Sequence, residues 1–235
     1  HDMNLIKHDV SKRQAALVAG IGFLLSFGGA IFSGGFVNGL IVPGDAVSTS
    51  NNLTASAGLF RVGIVSWLIV ILGDIVRAWA VYVFFRDVNR SIALLSAWLM
   101  LIHDAIFGSA LMNLILISVI SSGNSILTGF GVPESQGLLL LLFDGFNAGF
   151  ELGLFFFSFH LALLGYLVLK SGFIPKIFSI LLFIAAIGYL MDSVGKLFPA
   201  YPEILWTIFM GPCLIGEMAI MIWLFLKGGK NETVS

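Results

Sequence analysis

The most informative feature of the sequence is how little charge it carries. Asp, Glu, Lys and Arg make up only 11% of the 235 residues, whereas 58% are hydrophobic and the mean hydropathy is +1.02. In a water-soluble domain about 25% of the residues are charged. The scarcity of charge therefore excludes a soluble globular protein and predicts a polytopic membrane protein.

Two further scarcities exclude other classes. The chain has one cysteine, Cys213, so it forms no internal disulfide and no cysteine-based metal cluster. A formal net charge of -1 supplies no excess positive charge for nucleic acid. His1 and Asp2 precede Met3 and are interpreted as residues added in cloning, so residues 3–235 are expected to form one membrane domain. The sequence indicates no particular cofactor.

Six long apolar segments follow one another along the chain. Each is long enough to cross a bilayer as a helix, the expected form because lipid offers backbone groups no water to bond with. Polar residues 48–52 are expected in a loop after the first segment, and residues 123–135 in a loop after the third. The predicted fold class is an all-α integral membrane bundle of six transmembrane helices, over about residues 14–40, 59–85, 91–120, 136–169, 175–198 and 202–226.

Two of the predicted helices are irregular. The fourth is roughly 34 residues long, or about 51 Å, against a hydrocarbon core of about 30 Å. It must therefore tilt, bend or project into the cytoplasm. The sixth contains Gly211-Pro212 near its middle. Proline removes a backbone hydrogen bond and crowds the carbonyl group of Ile208, so a kink is expected there.

The basic residues predict the orientation of the bundle. Positive charge is enriched in cytoplasmic loops, and nine of the twelve Lys and Arg residues lie at one set of segment ends. Both termini are therefore predicted in the cytoplasm, which requires an even number of spans. The nine residues are Lys7, Lys12, Arg13, Arg86, Arg90, Lys170, Lys176, Lys227 and Lys230.

Several short segments, spread over nearly the whole chain, suggest a family. They occupy residues 41–46 (IVPGDA), 59–64 (LFRVGI), 82–90 (YVFFRDVNR), 160–166 (HLALLGY), 171–176 (SGFIPK) and 188–193 (GYLMDS). In this order they resemble the bacterial membrane protein family known as domain of unknown function 4386. The resemblance implies a multi-pass protein of the bacterial cytoplasmic membrane, and it implies no particular activity.

Ionisable residues inside apolar segments are the best functional candidates, because charge in the membrane is costly and usually faces a partner or a wet cavity. Asp74 and Arg77 are three residues apart on the second helix and can pair. Such a pair fits a binding role and a purely structural role about equally well. His103 and Asp104 are adjacent on the third helix and point about 100° apart, so they are not expected to face one partner together.

The fourth segment carries a glycine stripe and two carboxylates. Gly145, Gly149 and Gly153 repeat every four residues, a pattern that lets another helix approach closely. Asp144 and Glu151 are seven residues apart on a neighbouring face, where they could exchange protons. His160 falls nearer the glycine face and is interpreted first as a packing and hydrogen-bonding residue.

The last two segments add three charged residues. Asp192 lies four residues before Lys196, so a structural ion pair is expected near the outer boundary. Glu217 lies just beyond Pro212, and a broken helix with a carboxylate is typical of transporter sites. Arg61, at the outer end of the second segment, can snorkel outward, pair with Asp45 or cap an external opening.

Three functional hypotheses follow. In the first, a small molecule or ion binds in or crosses a cavity lined by Asp74, Arg77, Asp104, Glu151 and Glu217, with Asp144 in reserve. In the second, an intramembrane enzyme holds a metal such as zinc through His103 and His160 with nearby carboxylates. In the third, a structural protein assembles with itself or another partner in the bilayer through the glycine stripe.

Overall fold

The structure, a computed structural model, describes residues 10–122, 131–198 and 204–230, without the side chains of 132–133, 204–210 and 212–213. The described residues form helices and no strands, which confirms the all-α class. The seven helices are α1 (Lys12–Leu40), α2 (Ala46–Ala55), α3 (Ala57–Phe85), α4 (Arg90–Ser121), α5 (Val132–Ser171), α6 (Lys176–Gly195) and α7 (Ile204–Lys227).

Six of these helices match the six predicted segments, with ends that differ by at most four residues. Five of them, α1 and α3 to α6, are long and apolar enough to cross a membrane. The sixth predicted span corresponds to α7, in which several side chains lie outside the described residues. The count of six spans and the cytoplasmic location of both termini therefore stay predictions.

Of the two predicted irregularities, the great length of the fourth predicted helix is confirmed. α5 has 40 residues and is even longer than expected. At 1.5 Å per residue it is about 60 Å long, about twice the thickness of a hydrocarbon core. α7 runs as one helix through Gly211 and Pro212, and the kink at the proline stays a prediction.

Local hydrogen bonds define several helix ends. The Ser11 hydroxyl accepts from the Gln14 amide at 3.2 Å and caps α1. The Asn89 side chain accepts from the Ile92 amide at 3.1 Å and caps α4. Both residues satisfy amide groups that have no partner within the first turn. α5 ends at Ser171 and is capped by Gly172, whose φ of 73° is a left-handed conformation that glycine adopts readily.

The six long helices form a closed ring. Each packs on the next along the chain in the order α1, α3, α4, α5, α6 and α7, and α7 returns to pack on α1. Buried apolar side chains form two clusters: one includes Ala15 and Phe85, and the other includes Val37 and Leu114. Because these clusters use opposite ends of the same helices, the polar residues of α3 and α4 lie in a layer between them.

The stretch that was predicted as a polar loop is the helix α2, so that prediction was wrong. The Asp45 carboxylate accepts hydrogen bonds from the Ser48 amide at 2.9 Å and the Ser48 hydroxyl at 2.7 Å. Thr49 is fully buried and accepts from the Val42 amide at 2.9 Å, while Leu53 packs into the second cluster. Composition indicated a loop, but capping and two buried side chains stabilise a helix here.

The glycine stripe of α5 allows the close approach that its spacing predicts. A Cβ atom at Gly149 would lie 2.5 Å from the Cβ of Ala110, and one at Gly153 would lie 2.9 Å from Nδ1 of His103. α4 therefore packs directly on the stripe. Because α4 covers the Gly149–Gly153 part of this face within one chain, the hypothesis of assembly with a partner through the stripe loses its basis.

Candidate functional site

A cavity of about 140 Å³ lies inside the helix ring. All six long helices contribute to its wall, which carries four ionisable groups: Asp74, Arg77, His103 and Glu217. Aromatic rings form much of the remaining wall, from Phe23, Phe27, Trp67, Phe107, Phe150, Phe157 and Tyr189. The cavity combines a few convergent polar groups with apolar walls, which is the usual character of a ligand site.

Asp74 and Arg77 form the pair that their spacing predicts. Nη2 of Arg77 lies 2.9 Å from Oδ1 of Asp74, and both residues are buried. The guanidinium carbon lies 5.7 Å from the ring centre of Phe23 and 5.9 Å from that of Phe157. Stacking on two rings gives the cation an attractive surface in an environment without bulk water.

Asp74, His103 and Asp104 form a compact cluster. One oxygen or nitrogen atom from each residue lies within 4.8 Å of the others, and all three residues are buried. His103 and Asp104 were not expected to face one partner, and the structure corrects that expectation. The 100° between their Cα–Cβ directions is small enough for the two side chains to converge on Asp74 from one turn of α4.

Three atoms of this cluster have incomplete bonding. Both carboxylate oxygens of Asp104 and Nδ1 of His103 are buried without a hydrogen-bond partner among the described residues. Asp104 is 3% exposed and His103 is 5% exposed. Such groups are costly to bury unless they gain a partner. A bound cation would supply one.

α6 and α7 complete the cavity wall with a hydrogen-bonded pair. The Tyr189 hydroxyl donates to Oε1 of Glu217 at 2.9 Å. Glu217 is 8% exposed, and both residues line the cavity. Glu217 thus lines the same cavity as Asp74 and Arg77. That these three residues bind a ligand stays a prediction.

The two carboxylates of α5 do not join this cavity. α5 turns Phe150, Leu154 and Phe157 toward it, and the adjacent Glu151 is rotated by about 100° onto another face. Oε1 of Glu151 instead pairs with Nζ of Lys196 at 2.5 Å. Asp144 is exposed and is not part of the cavity wall. The grouping of Glu151 and Asp144 with the other candidates is therefore corrected.

Lys196 is the centre of a separate ion-pair group at the end of α6. Besides Glu151, it contacts Oδ2 of Asp192 at 2.8 Å, the pair that the four-residue spacing predicts. Burial lowers the pKa of Lys196, but the hydrogen bonds and charges of Asp192 and Glu151 outweigh burial, so the net pKa lies above its usual value. The ion pairs thus favour the charged ammonium.

His160 does not reach the cluster around His103. Its Nδ1 lies 3.0 Å from the Ser96 hydroxyl and 2.9 Å from the Ser96 carbonyl oxygen, so it bridges α5 and α4. This agrees with its interpretation as a hydrogen-bonding residue. Of the two histidines predicted as metal ligands, His103 belongs to the cluster with Asp74 and Asp104, and His160 lies outside it. Metal binding by either histidine stays a prediction.

Sequence reasoning missed the aromatic wall and Tyr189. The signal was present, because Phe23 and Phe27 are four residues apart and Phe150 and Phe157 are seven apart, which places each pair on one helix face. It was not distinctive among 22 phenylalanines. Arg61, near the N-terminal end of α3, contacts the Ser118 hydroxyl at 3.4 Å, whereas Asp45 is engaged in capping α2.

Comparison with known proteins identifies the family of this chain. An uncharacterized protein of Archaeoglobus fulgidus is 33% identical over 174 residues, which cover 73% of this chain and 88% of the relative. Since that organism is an archaeon, a bacterial source for this chain stays a prediction. No solved structure gives a significant match. A family model described as "Domain of unknown function (DUF4386)" matches residues 18–228, and the chain therefore belongs to this family, as its short segments predicted.

Proposed function

We propose that this membrane protein binds a divalent metal cation in its central cavity and carries it across the bilayer. The observation that carries the proposal is the buried cluster of Asp74, His103 and Asp104, with ligand atoms within 4.8 Å of one another. The cluster adjoins the cavity through Asp74 and His103.

The charges in and around the cavity favour a cation. The cavity and the adjoining cluster contain three carboxyl groups and one guanidinium group. The carboxyl groups belong to Asp74, Asp104 and Glu217, and the guanidinium group belongs to Arg77. Arg77 pairs with Asp74, and both oxygens of Asp104 have no hydrogen-bond partner among the described residues. An unpaired carboxylate in this setting is expensive, and a bound cation offsets the cost.

The type of ligand atom narrows the cation to a class. One imidazole nitrogen and two carboxylate oxygens suit Zn²⁺ and its first-row neighbours, which accept both nitrogen and oxygen. Mg²⁺ and Ca²⁺ prefer oxygen alone and are less suited to a site with histidine. The adjoining cavity, of about 140 Å³, leaves room for water molecules that would complete the coordination sphere.

Metal binding can be tested on the purified protein in detergent. After chelator treatment, we expect Zn²⁺ or Co²⁺ to bind at about one ion per chain, measured by calorimetry and elemental analysis. Asp104→Asn and His103→Gln should each weaken binding at least tenfold, because even outer-shell partners of a metal contribute about 10–100-fold. His160→Gln is the matched control, since it also removes a buried histidine of the same bundle but leaves the cluster intact.

The visible spectrum of bound Co²⁺ shows whether binding is weakened by the loss of a metal ligand or by misfolding of the variant. His103→Gln should change the absorption bands because a nitrogen ligand is removed, while the helical circular dichroism stays the same. Stoichiometric binding that is equally tight in Asp104→Asn, His103→Gln and the wild type would contradict the proposed site.

Transport is tested separately in proteoliposomes that contain a metal-sensitive dye. The wild-type protein should increase the rate of Zn²⁺ entry over empty vesicles, and Asp104→Asn should abolish the increase. Binding without flux would refute transport and leave a metal-binding protein.

The same site favours a second candidate, a metal-dependent enzyme. Catalytic zinc sites combine three protein ligands with an open position for water, and here a cavity adjoins the three candidate ligands. The Glu217–Tyr189 pair could hold or deliver a proton. The distinguishing result would be Zn²⁺-dependent hydrolysis of lipid ester or amide substrates without Zn²⁺ flux, lost in Glu217→Gln while Zn²⁺ binding is retained.

We further propose six spans with both termini on the cytoplasmic side of a cell membrane. Support comes from the nine basic residues at one set of helix ends and from the length of α7, 24 residues. A fluorescent protein fused to the C-terminus should fold and fluoresce in the cell, and an alkaline phosphatase fusion there should be inactive. The reverse pattern would contradict this orientation.

A further inference from the structure

A second and larger cavity opens where α1 begins and α7 ends. Its volume is about 490 Å³, within the range of small-molecule pockets. Its wall combines three lysines with aromatic rings: Lys12, Lys227, Lys230, Phe84, Phe173 and Trp223. We propose that this pocket, called the lysine pocket below, binds the phosphate headgroup of an anionic phospholipid.

Close packing between the start of α1 and the end of α7 brings the lysines together. Nη1 of Arg13 donates hydrogen bonds to the carbonyl oxygens of Phe225 at 2.9 Å and Gly228 at 3.1 Å. Gly229 has a φ of 69°, and a Cβ atom there would lie 2.6 Å from the Arg13 amide nitrogen. The start of α1 and the end of α7 are thus held in close contact, so the lysine pocket is organised before any ligand arrives.

The charge balance of the lysine pocket favours an anion. Nζ of Lys12 lies 3.2 Å from Oδ2 of Asp87, whose side chain is 62% exposed and is not part of the wall. The other charged groups at these helix ends include Arg86, Arg90, Lys170 and Lys176. Among the described residues at these helix ends, the basic side chains therefore outnumber the Asp87 carboxylate.

The apolar part of the wall favours a lipid over a free phosphate ion. Phe84 is 1% exposed, whereas Phe173 is 50% exposed, and their ring centres are 6.0 Å apart. Trp223 lines the same cavity from α7. Inorganic phosphate would contact the ammonium groups and leave the exposed ring of Phe173 bare, while the glycerol and acyl carbons of a phospholipid would cover it.

The position of the lysine pocket agrees with its proposed ligand. It lies at the helix ends that carry the excess of basic residues, the side proposed above to face the cytoplasm. Anionic lipids give that leaflet its negative surface potential, and basic pockets between helices there bind their headgroups. The pocket is built from different residues than the central cavity, so this proposal can succeed or fail independently of metal binding.

The test uses phosphatidylglycerol titrated into the detergent-solubilised protein, read by native mass spectrometry, with phosphatidylcholine as the neutral comparison. Phosphatidylglycerol should bind more tightly. Each lysine near an anionic lipid contributes about fivefold in affinity, so Lys227→Gln combined with Lys230→Gln should weaken its binding roughly 25-fold. Phosphatidylcholine binding should not change.

A matched control distinguishes the lysine pocket from general attraction to positive charge. Arg90→Gln combined with Lys170→Gln removes the same charge from the same set of helix ends, but neither residue lines the pocket. This control should keep nearly all of the phosphatidylglycerol affinity. Equal losses in the two double variants would overturn the proposal. So would inorganic phosphate that binds as tightly as the lipid with the same lysine dependence.

Discussion

Oδ1 of Asp74 lies 2.9 Å from Nη2 of Arg77, one helical turn away, with both side chains almost completely buried. The same guanidinium rests between the rings of Phe23 and Phe157, on α1 and α5. The pair thus connects three helices at the centre of the bundle. It also places a fixed positive charge beside the carboxylates that we propose as metal ligands.

Breaking this pair should be costly. Arg77→Gln leaves the Asp74 carboxylate buried without its cation, and Asp74→Asn leaves the guanidinium without its anion. Each change should lower the free energy of unfolding by about 3–5 kcal/mol. Replacing both residues, as in Asp74→Asn with Arg77→Gln, should cost clearly less than the sum. Denaturant unfolding in detergent measures all three variants, and strict additivity would show that the pair contributes no coupling.

Gly153→Ala should disturb the proposed metal site without removing any ligand. Its new Cβ would lie 2.9 Å from Nδ1 of His103, too close for the ring to keep its place. We expect Zn²⁺ binding to weaken about tenfold, in the range of outer-shell changes at metal sites, with a loss of about 1–3 kcal/mol in stability from overpacking.

Gly34→Ala is the control for this substitution, because a Cβ atom added at Gly34, in the C-terminal half of α1, would have no heavy atom of the described residues within 4 Å. Replacing a helical glycine at an open position should be neutral or stabilise the protein by about 0.5–1 kcal/mol. Zn²⁺ affinity should not change. If Gly153→Ala behaves like Gly34→Ala in both measurements, His103 is not constrained by α5.

The Lys196 ion pairs predict that the free energy of unfolding decreases as the pH rises in the alkaline range. Because they hold the pKa of Lys196 above its usual value of 10.5, their contribution is complete below that value. It is lost as the pH rises through the higher pKa of the folded protein. Lys196→Gln should lose this part of the pH dependence. It should also be less stable at neutral pH, because Asp192 and Glu151 lose the ammonium group that pairs with them. Thermal unfolding at pH values from neutral to well above the usual lysine pKa measures both, and parallel curves for the two proteins would contradict the prediction.

Asp45 should be required for the first turn of α2. Hydrogen bonds from the Ser48 side chain and amide lower the pKa of Asp45 below its usual value of 3.8. The cap therefore contributes above that pH and is lost as the pH falls through the lowered pKa. In Asp45→Ala the Ser48 amide should exchange hydrogen faster at neutral pH, while Asp45→Asn should retain protection because asparagine also caps helices. Equal exchange in all three proteins would show that the cap is not needed.

Some parts of the site could be predicted from spacing alone. The Asp74–Arg77 and Asp192–Lys196 pairs are separated by three and four residues, and helix geometry brings such residues together whatever surrounds them. The convergence of Asp74 with His103 and Asp104 joins two helices. It depends on how α3 and α4 rotate against each other, which the pattern within either helix does not contain.

Hydrophobicity and helical periodicity are local properties, so the amino-acid order alone establishes that the chain is a bundle of long apolar helices and where those helices lie. It also establishes that α5 offers a small-residue face for close packing. Which helix occupies that face and which buried charges meet are settled only in three dimensions. α5 turns Phe150 toward the cavity and Glu151 toward Lys196. Adjacent residues of a helix point about 100° apart, and this difference places one side chain in the cavity wall and the next in an ion pair. The rotation of α5 about its axis decides which residue does which, and only packing against neighbouring helices sets that rotation.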